Sequence, residues 1–237
     1  MSEINLLISV PKVRELKEFD DAVNNYLQDF DKVFVNYYPS FVARHLIKDY
    51  FLDHEEYTHL AILPDDMIPN RVAINLLMND LSKTDYPVLC GRSHLNNTEE
   101  GRKVVTVSLT LSSPVMKEGM HYYDFLQEDS PLFMKLLEEK QPIIVKHMGD
   151  PFPIIRRDIV KKLTFNNDSQ YNSQLEQDGC CEDIVMCVEL DKLQIPIYCD
   201  LRAWFKHLKI SDEENKKNLL IDKEIANIQY VKSKRLF

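Results

Sequence analysis

Short apolar runs alternate with helix-spaced segments over residues 4–90, and this order constrains the fold more than any other feature of the chain. The predicted strands are residues 4–10, 33–35, 60–63 and 88–90, and the predicted helices between them are residues 13–30, 41–52 and 70–81. Strands that are joined through helices pair in parallel, because each crossover returns the chain to the same end of the sheet. The sequence therefore predicts an α/β fold with a mostly parallel central sheet flanked by helices.

The pattern changes beyond residue 92. Residues 104–111 alternate as a half-exposed strand does, and a polar segment over residues 165–179 predicts an exposed loop. Further predicted strands are residues 142–146, 152–155 and 197–199, and further predicted helices are residues 131–138, 157–163 and 181–193. We therefore expect a small antiparallel portion beside the parallel sheet.

Composition excludes several classes of protein. The net charge of −9 disfavours a nucleic-acid partner, since phosphate binding needs a concentrated cationic face. No apolar stretch reaches the ~18 residues of a spanning helix, and the five cysteines fit neither a disulfide framework nor a zinc site. Only 5 glycines occur, and none forms a phosphate-binding loop. These features predict a cytoplasmic protein, either free or attached to a membrane surface.

Two adjacent acids, Asp65 and Asp66, directly follow the apolar run of residues 60–63. Carboxylates beside an apolar core are costly unless a cation or a donor compensates them. At the carboxyl end of a central strand they lie where open α/β sheets bind ligands. They fit either a divalent cation that carries a phosphorylated ligand or a strand that runs into a solvated acidic turn.

Three further sites are ambiguous on their residues alone. Glu182 and Asp183 begin a predicted helix, where acids suit the helix dipole, but a carboxylate there can also act as a general base. His207 follows a strand and fits either a core or surface histidine or a ligand of Mn²⁺ or Mg²⁺. Arg44 lies near the start of a helix and is either a solvated residue or a contact to a phosphate or nucleobase.

Five segments follow one another in an informative order. They are Val42-Ala43-Arg44-His45-Leu46-Ile47 with Tyr57-Thr58-His59-Leu60, Leu63-Pro64-Asp65-Asp66-Met67-Ile68-Pro69, Tyr86-Pro87-Val88-Leu89-Cys90-Gly91-Arg92, Phe152-Pro153-Ile154-Ile155-Arg156-Arg157-Asp158-Ile159, and Cys181-Glu182-Asp183 through Ile195-Pro196-Ile197-Tyr198 to His207. Over residues 4–208 the chain thus resembles a GT-A glycosyltransferase of the family 2-like group. The resemblance implies a Rossmann-like GT-A domain over residues 1–210, with a nucleotide-binding half of about 1–92 and an acceptor half of about 93–210. A C-terminal helical tail is expected over residues 211–237.

The resemblance also implies an activity, which is inverting transfer of a sugar from a nucleotide-diphosphate sugar to a glycan, protein or lipid-linked acceptor. On the donor side it implies that Asp66 and His207 bind Mn²⁺ or Mg²⁺, with Asp65 in support. Contacts to the nucleotide sugar are expected from Pro11, Arg44, Asp65, Asp66 and Gly91. A side chain at Gly91 would intrude on the donor sugar.

On the acceptor side the resemblance implies that Asp183 is the general base. Glu182 would position the acceptor or tune Asp183, because two close carboxylates push their pKa values apart. His147, Gly149 and Phe152 are expected to line the acceptor cleft.

One position departs from the family pattern. The family has acids two positions apart, and here Pro64 stands at the earlier position, with Asp65 between Pro64 and Asp66. A degenerate GT-A protein that binds a nucleotide sugar or glycan without turnover is therefore the first alternative. A nucleotidyltransferase is the second, although the segment after the first strand has basic residues and no glycine. Apolar and basic residues of the tail fit peripheral membrane contact, a helix packed on the core, or a dimer contact.

Overall fold

The computed structural model describes residues 3–94, 104–109, 115–117, 120–122, 125–165, 182–208, 220–222 and 224–234. Its strands are, in chain order, β1 (Leu6–Lys12), β2 (Asp31–Asn36), β3 (His59–Ile62), β4 (Met67–Ile68), β5 (Val88–Arg92), β6 (Val104–Ser108), β7 (Val115–Lys117), β8 (Met120–Tyr122), β9 (Phe125–Gln127), β10 (Ile143–Val145), β11 (His147–Met148), β12 (Ile154–Arg156), β13 (Ile197–Trp204), β14 (Lys206–His207) and β15 (Asn227–Val231). Its helices are α1 (Lys17–Tyr26), α2 (Ser40–Asp53), α3 (Arg71–Leu81), α4 (Pro131–Glu138), α5 (Arg157–Val160) and α6 (Glu182–Lys192).

The large sheet has the strand order β10-β13-β5-β12-β3-β1-β2-β15. Strand β1 pairs in parallel with β2 and β3, and β13 pairs in parallel with β5. Strand β12 is antiparallel to both β3 and β5, so β3 and β5 run in the same direction. Strands β10 and β15 run the opposite way at the two edges. The predicted mostly parallel sheet flanked by helices is confirmed, and the antiparallel sheet β11-β6-β9 confirms the small antiparallel portion.

Successive residues of the central strands enter two apolar cores, one on each face of the large sheet. In β1, Leu7 packs with Ile47 of α2, whereas Leu6 and Ile8 pack with Phe19 of α1 on the other face. Strands buried on both faces therefore appear in the sequence as continuous apolar runs. Each such side chain contributes about 1.5–3 kcal/mol when it is fully buried.

The parallel strands end at one edge of the sheet, and this edge collects the residues that the sequence singled out. Asp65 and Asp66 follow β3, and His207 follows the end of β13. Helix α2 begins after β2, and α6 precedes β13 and runs antiparallel to it, so both helices begin at this edge. Arg44 lies in the second turn of α2 and Asp183 in the first turn of α6. Because strands alternate with helices along the chain, residues that are far apart in the sequence come together at this edge.

The predicted C-terminal helix is wrong over Asn227–Val231, which form β15 and pair antiparallel with β2. Without β15, the outer edge of β2 would expose its backbone N–H and C=O groups. Pairing with that edge outweighs the helical spacing of the tail's apolar residues. Residues 211–219, 223 and 235–237 of the tail lie outside the described residues, as do residues 166–179 of the predicted loop.

No helix among the described residues is long and apolar enough to cross a membrane.

Candidate functional site

Asp65 connects the end of β3 to the segment that follows β1. Its Oδ2 atom accepts hydrogen bonds from the backbone N–H groups of Val13 and Arg14, at 2.7 Å each. Its Oδ1 atom accepts from Arg14 Nε at 2.9 Å and from Arg14 Nη2. A carboxylate has about four lone-pair positions, and these four donors occupy them. Asp65, which is 1% exposed, would have to release one donor to bind a metal or a ribose.

Asp66 lies beside His207, the other residue that is expected to bind a cation. The two residues are brought together because β14 pairs antiparallel with β4, with His207 opposite Met67. The distance from His207 Nε2 to Asp66 Oδ2 is 3.6 Å, and the Asp66 side chain is 20% exposed. His207 Nδ1 is buried and meets no hydrogen-bond partner among the described residues. Nε2 of the imidazole thus faces Asp66, whereas Nδ1 takes no part in the hydrogen-bond network of the described residues.

The two acids differ in electrostatic environment. Burial raises the pKa of Asp65, although Arg14 opposes this effect. Burial also acts to raise the pKa of Asp66, but His207 and the Arg14 guanidinium outweigh it and hold that pKa below its usual range. Asp66 is thus the partly exposed carboxylate of the pair, and its surroundings hold its pKa low.

Arg14 is the residue that sequence reasoning missed. Its Nη2 atom contacts Asp65 Oδ1 and lies 3.0 Å from Asp66 Oδ2, so one guanidinium bridges both acids. The sequence contained one signal, a pair of basic residues directly after the first strand. Their spacing gave no indication that Arg14 would reach the end of β3, because that contact depends on the pairing of β1 with β3.

Arg44 was expected to contact the nucleotide, but its side chain is paired within the fold. It is 5% exposed, and its Nη2 atom pairs with a carboxylate oxygen of Asp150. Asp150 and Phe152 adopt positive φ angles of 52° and 58°. Such conformations cost about 1–3 kcal/mol each in residues other than glycine and need support from their surroundings. The buried ion pair holds this loop at the same edge of the sheet.

Two of the residues expected on the acceptor side lie close together. His147 and Asp183 lie together, with 3.7 Å between His147 Nε2 and Asp183 Oδ2. Asp183 Oδ1 accepts a hydrogen bond from Ile184 N at 2.9 Å. Burial lowers the pKa of His147 to about 4, so this imidazole is neutral at pH 7. Glu182 is the first residue of α6, and its side chain lies outside the described part of the structure.

Phe152 does not line a cleft. It is fully buried in the core and stacks on Phe205, with ring centroids 5.4 Å apart. An aromatic ring in such a stack stabilises the core and is closed to an acceptor. Gly149 donates a backbone hydrogen bond to Thr106 O at 2.8 Å, which ties the loop to β6.

Gly91 lacks a side chain for a reason within the fold. A Cβ atom there would lie 2.4 Å from Ala203 O and 2.5 Å from the ring of Phe205. The space that a side chain would occupy is therefore filled by β13 and the segment after it, and this face of Gly91 is closed to a donor sugar. Pro11, which was also expected to contact the nucleotide sugar, is half-buried in β1 opposite Val35.

No protein-family model and no curated protein sequence matches this chain. Among solved structures, the crystal structure of A197 from STIV covers 95% of this chain and 98% of that chain, with a TM-score of 0.56 and 17% identity. At this identity the likeness shows the fold alone. A CMP:2-keto-3-deoxy-manno-octonic acid synthetase complexed with CTP covers 85% of this chain and 95% of that chain, with a TM-score of 0.45 and 9% identity. That second likeness is too weak to support a conclusion about this protein.

Proposed function

We propose that this protein is a glycosyltransferase that moves a sugar from a nucleotide-diphosphate sugar to an acceptor hydroxyl with inversion. The observation that supports this best is the pairing of Asp66 with His207, 3.6 Å apart, at the carboxyl edge of the parallel strands. This edge is where open α/β sheets bind their ligands.

Asp66 and His207 would hold Mn²⁺ or Mg²⁺, since carboxylate oxygen and imidazole nitrogen suit such ions. Within the described residues, no group of three acidic, histidine or cysteine side chains could hold a metal. A site of two protein ligands fits Mg²⁺-type binding, in which substrate phosphates and water complete the coordination. The bound cation would neutralise charge on the leaving diphosphate. The Asp65 carboxylate, with four N–H donors, keeps the loop after β1 against the end of β3.

We assign the role of general base to Asp183. It would remove the proton from the acceptor hydroxyl as the oxygen bonds to the anomeric carbon and the bond to the diphosphate breaks. The backbone N–H of Ile184 fixes the carboxylate through Oδ1 and leaves Oδ2 facing His147. A neutral His147 adds no positive charge that would lower the basicity of Asp183.

The test begins with calorimetric titration of UDP, GDP, CDP, ADP and their sugar conjugates, first with Mn²⁺ and then with EDTA. One nucleotide should bind in a metal-dependent manner, and Asp66→Ala should abolish that binding. Asp183→Asn should still bind the donor. Its rate of transfer to a hydroxyl acceptor should fall by ~10²-fold or more, as is typical when a general base is lost. Full transfer by Asp183→Asn together with loss by Glu182→Gln would exchange the roles of the two acids.

A second candidate is a GT-A protein that binds a nucleotide sugar or glycan without turnover. The contacts of Asp65 favour this candidate. All four lone-pair positions of its carboxylate accept hydrogen bonds from Val13 and Arg14, so this residue of the acidic motif is already used within the fold. Binding of a nucleotide sugar with neither transfer nor donor hydrolysis would select this candidate. Binding of no nucleotide under any condition would contradict the glycosyltransferase and would leave, of the second candidate, only a protein that binds a glycan.

A further inference from the structure

The Arg14 guanidinium occupies the place at which a cation would meet Asp66. Its Nη2 atom lies 3.0 Å from Asp66 Oδ2, and the same oxygen is the one that faces His207 Nε2 at 3.6 Å. A divalent cation on this oxygen would stand next to a fixed positive charge, and like charges at such distances repel strongly in a partly buried site. Arg14 and the cation therefore compete for Asp66.

The position of Arg14 leaves it able to change partners. Its Nε and Nη2 atoms donate to Asp65 Oδ1, and its backbone N–H donates to Asp65 Oδ2 at 2.7 Å. A guanidinium has five N–H donors, and no described residue accepts a hydrogen bond from Nη1. Arg14 can thus stay anchored on Asp65 through Nε while its outer edge turns from Asp66 to a phosphate, which a guanidinium binds well.

We propose that Arg14 is a diphosphate-binding residue that controls access to the metal site. Without a ligand, Arg14 neutralises Asp66 and keeps the divalent cation away. A diphosphate draws the Nη2 edge of Arg14 from Asp66 Oδ2, and Asp66 becomes available to the cation. This inference rests on the proposed function, because the diphosphate is that of the proposed donor. It predicts that metal and diphosphate each strengthen the binding of the other by the same factor, as linkage requires.

The test measures Mn²⁺ binding to the full chain by electron paramagnetic resonance, with and without methylenediphosphonate. This probe carries a diphosphate-like group and no base, so the unknown nucleotide does not matter. Wild-type protein should bind Mn²⁺ at least about tenfold more tightly when methylenediphosphonate is present. Asp66→Asn should lose this gain, which separates the protein site from the Mn²⁺ complex that the probe forms in solution.

The role of Arg14 is isolated by comparing Asp65→Asn with the double variant Arg14→Gln/Asp65→Asn. Loss of Arg14 alone would leave Asp65 as a buried, uncompensated charge, and the asparagine removes that charge from both proteins. The double variant should bind Mn²⁺ alone about tenfold more tightly than Asp65→Asn and bind methylenediphosphonate about tenfold more weakly. Arg71→Gln, which removes an exposed arginine paired with Asp29, is the matched control and should change neither value.

Equal Mn²⁺ and methylenediphosphonate affinities in the two variants would overturn the proposal and make Arg14 a structural tie. Absence of Mn²⁺ binding to wild type with the probe present would overturn it as well. Should the double variant fail to fold, Arg14→Lys replaces it. Lysine lacks the planar fork by which the guanidinium can hold Asp65 through Nε and a phosphate through its outer edge. This variant should therefore bind the probe more weakly, and wild-type affinity would refute the proposal. If metal and diphosphonate strengthen each other's binding but no sugar is transferred, this inference is upheld and the proposed function is rejected. If sugar is transferred but the two do not affect each other's binding, the proposed function is upheld and this inference is rejected.

Discussion

Asp65 and Asp66 are neighbours in the chain and differ in what surrounds their carboxylates. Asp65 is almost fully buried and receives four N–H donors, two from the backbone and two from a guanidinium. Asp66 is 20% exposed and shares Oδ2 between Arg14 and the imidazole of His207. Both residues lie in the turn between β3 and β4, and this turn directs one carboxylate into the fold while it leaves the next partly exposed.

The first prediction separates these two roles by stability. Asp65→Asn should lower the free energy of unfolding by about 2–4 kcal/mol, because it breaks a nearly buried ion pair and leaves donors without a charged acceptor. Asp66→Asn should cost at most about 1 kcal/mol, since its pair with Arg14 is partly exposed. Urea denaturation of both variants measures the difference. Equal losses would mean that the two acids have the same structural weight.

The second prediction concerns His147. Burial lowers the pKa of this imidazole to about 4, below the ~6.5 of an unfolded histidine. The neutral ring therefore contributes stability above pH ~6.5, and this contribution is lost as the pH falls towards 4. In heteronuclear NMR, the His147 signal, assigned by its absence in His147→Gln, should stay constant from pH 8 to about 5. A midpoint above pH 6 would show that His147 carries charge near Asp183.

At the scale of elements, the sequence predicts what depends on local pattern. The apolar runs of residues 4–10 and 60–63 predicted β1 and β3, and their alternation with helices predicted the parallel sheet. The contact of His207 with Asp66 was expected only from family resemblance, because it depends on pairing between β4 and β14, which are 138 residues apart from Ile68 to Lys206. The bridging position of Arg14 and the burial of Phe152 depend on tertiary packing, which neither the basic residues after the first strand nor the sequence around Phe152 indicates.

Strand β15 is held by a hydrogen-bond network as well as by backbone pairing. Tyr57 donates to Asp31 Oδ2 at 2.8 Å, and its hydroxyl lies 2.9 Å from that of Tyr230 in β15. Asp31 Oδ1 also accepts from Ser233 N at 2.6 Å, directly after the strand. The carboxylate at the start of β2 therefore anchors both the core tyrosine and the C-terminal segment.

The third prediction follows from this network. Tyr57→Phe should destabilise the protein by about 1–2 kcal/mol, because a nearly buried hydroxyl that bonds a carboxylate is lost. Amides of Asn227–Val231 should exchange with solvent faster than in wild type, as local opening of the edge strand becomes easier. Tyr37→Phe, which removes an exposed bond to Glu15, is the control and should leave this exchange unchanged. Unchanged exchange in both variants would show that backbone pairing alone holds β15.

For the molecule as a whole, the acids of the proposed site and the acid that should govern the pH dependence of folding are different residues. Asp66 and Asp183 lie at the edge where the parallel strands end, whereas Asp80 lies in α3 and faces Asp200 and Arg202 of β13. Arg202 Nη2 lies 3.1 Å from Asp80 Oδ2 and 2.8 Å from Asp200 Oδ2, so one cation is shared by two carboxylates. The pH dependence of folding can therefore be changed at Asp80 without altering the proposed site.

The fourth prediction is that Asp80 makes the protein less stable as the pH rises through mild acidity. Burial raises its pKa to about 6, and the hydrogen bond and charge of Asp200 add to this effect. An unfolded aspartate has a pKa of ~3.9, so between pH ~4 and ~6 the folded state holds a proton that the unfolded state has lost. The contribution of protonated Asp80 to the free energy of unfolding is therefore fully present below the pKa of the unfolded state, and it is lost as the pH rises through the pKa of the folded state.

Asp80→Asn cannot ionise and should remove this loss. Its free energy of unfolding, relative to wild type, should rise by about 1–3 kcal/mol between pH 4 and pH 7, since each unit of pKa shift corresponds to ~1.4 kcal/mol. Any cost of weakening the contact with Arg202 adds at every pH and leaves the slope unaffected. Urea denaturation at four pH values measures that slope, with Asp29→Asn as an exposed control. A difference between variant and wild type that stays constant with pH would show that Asp80 titrates in the folded protein as it does in the unfolded chain.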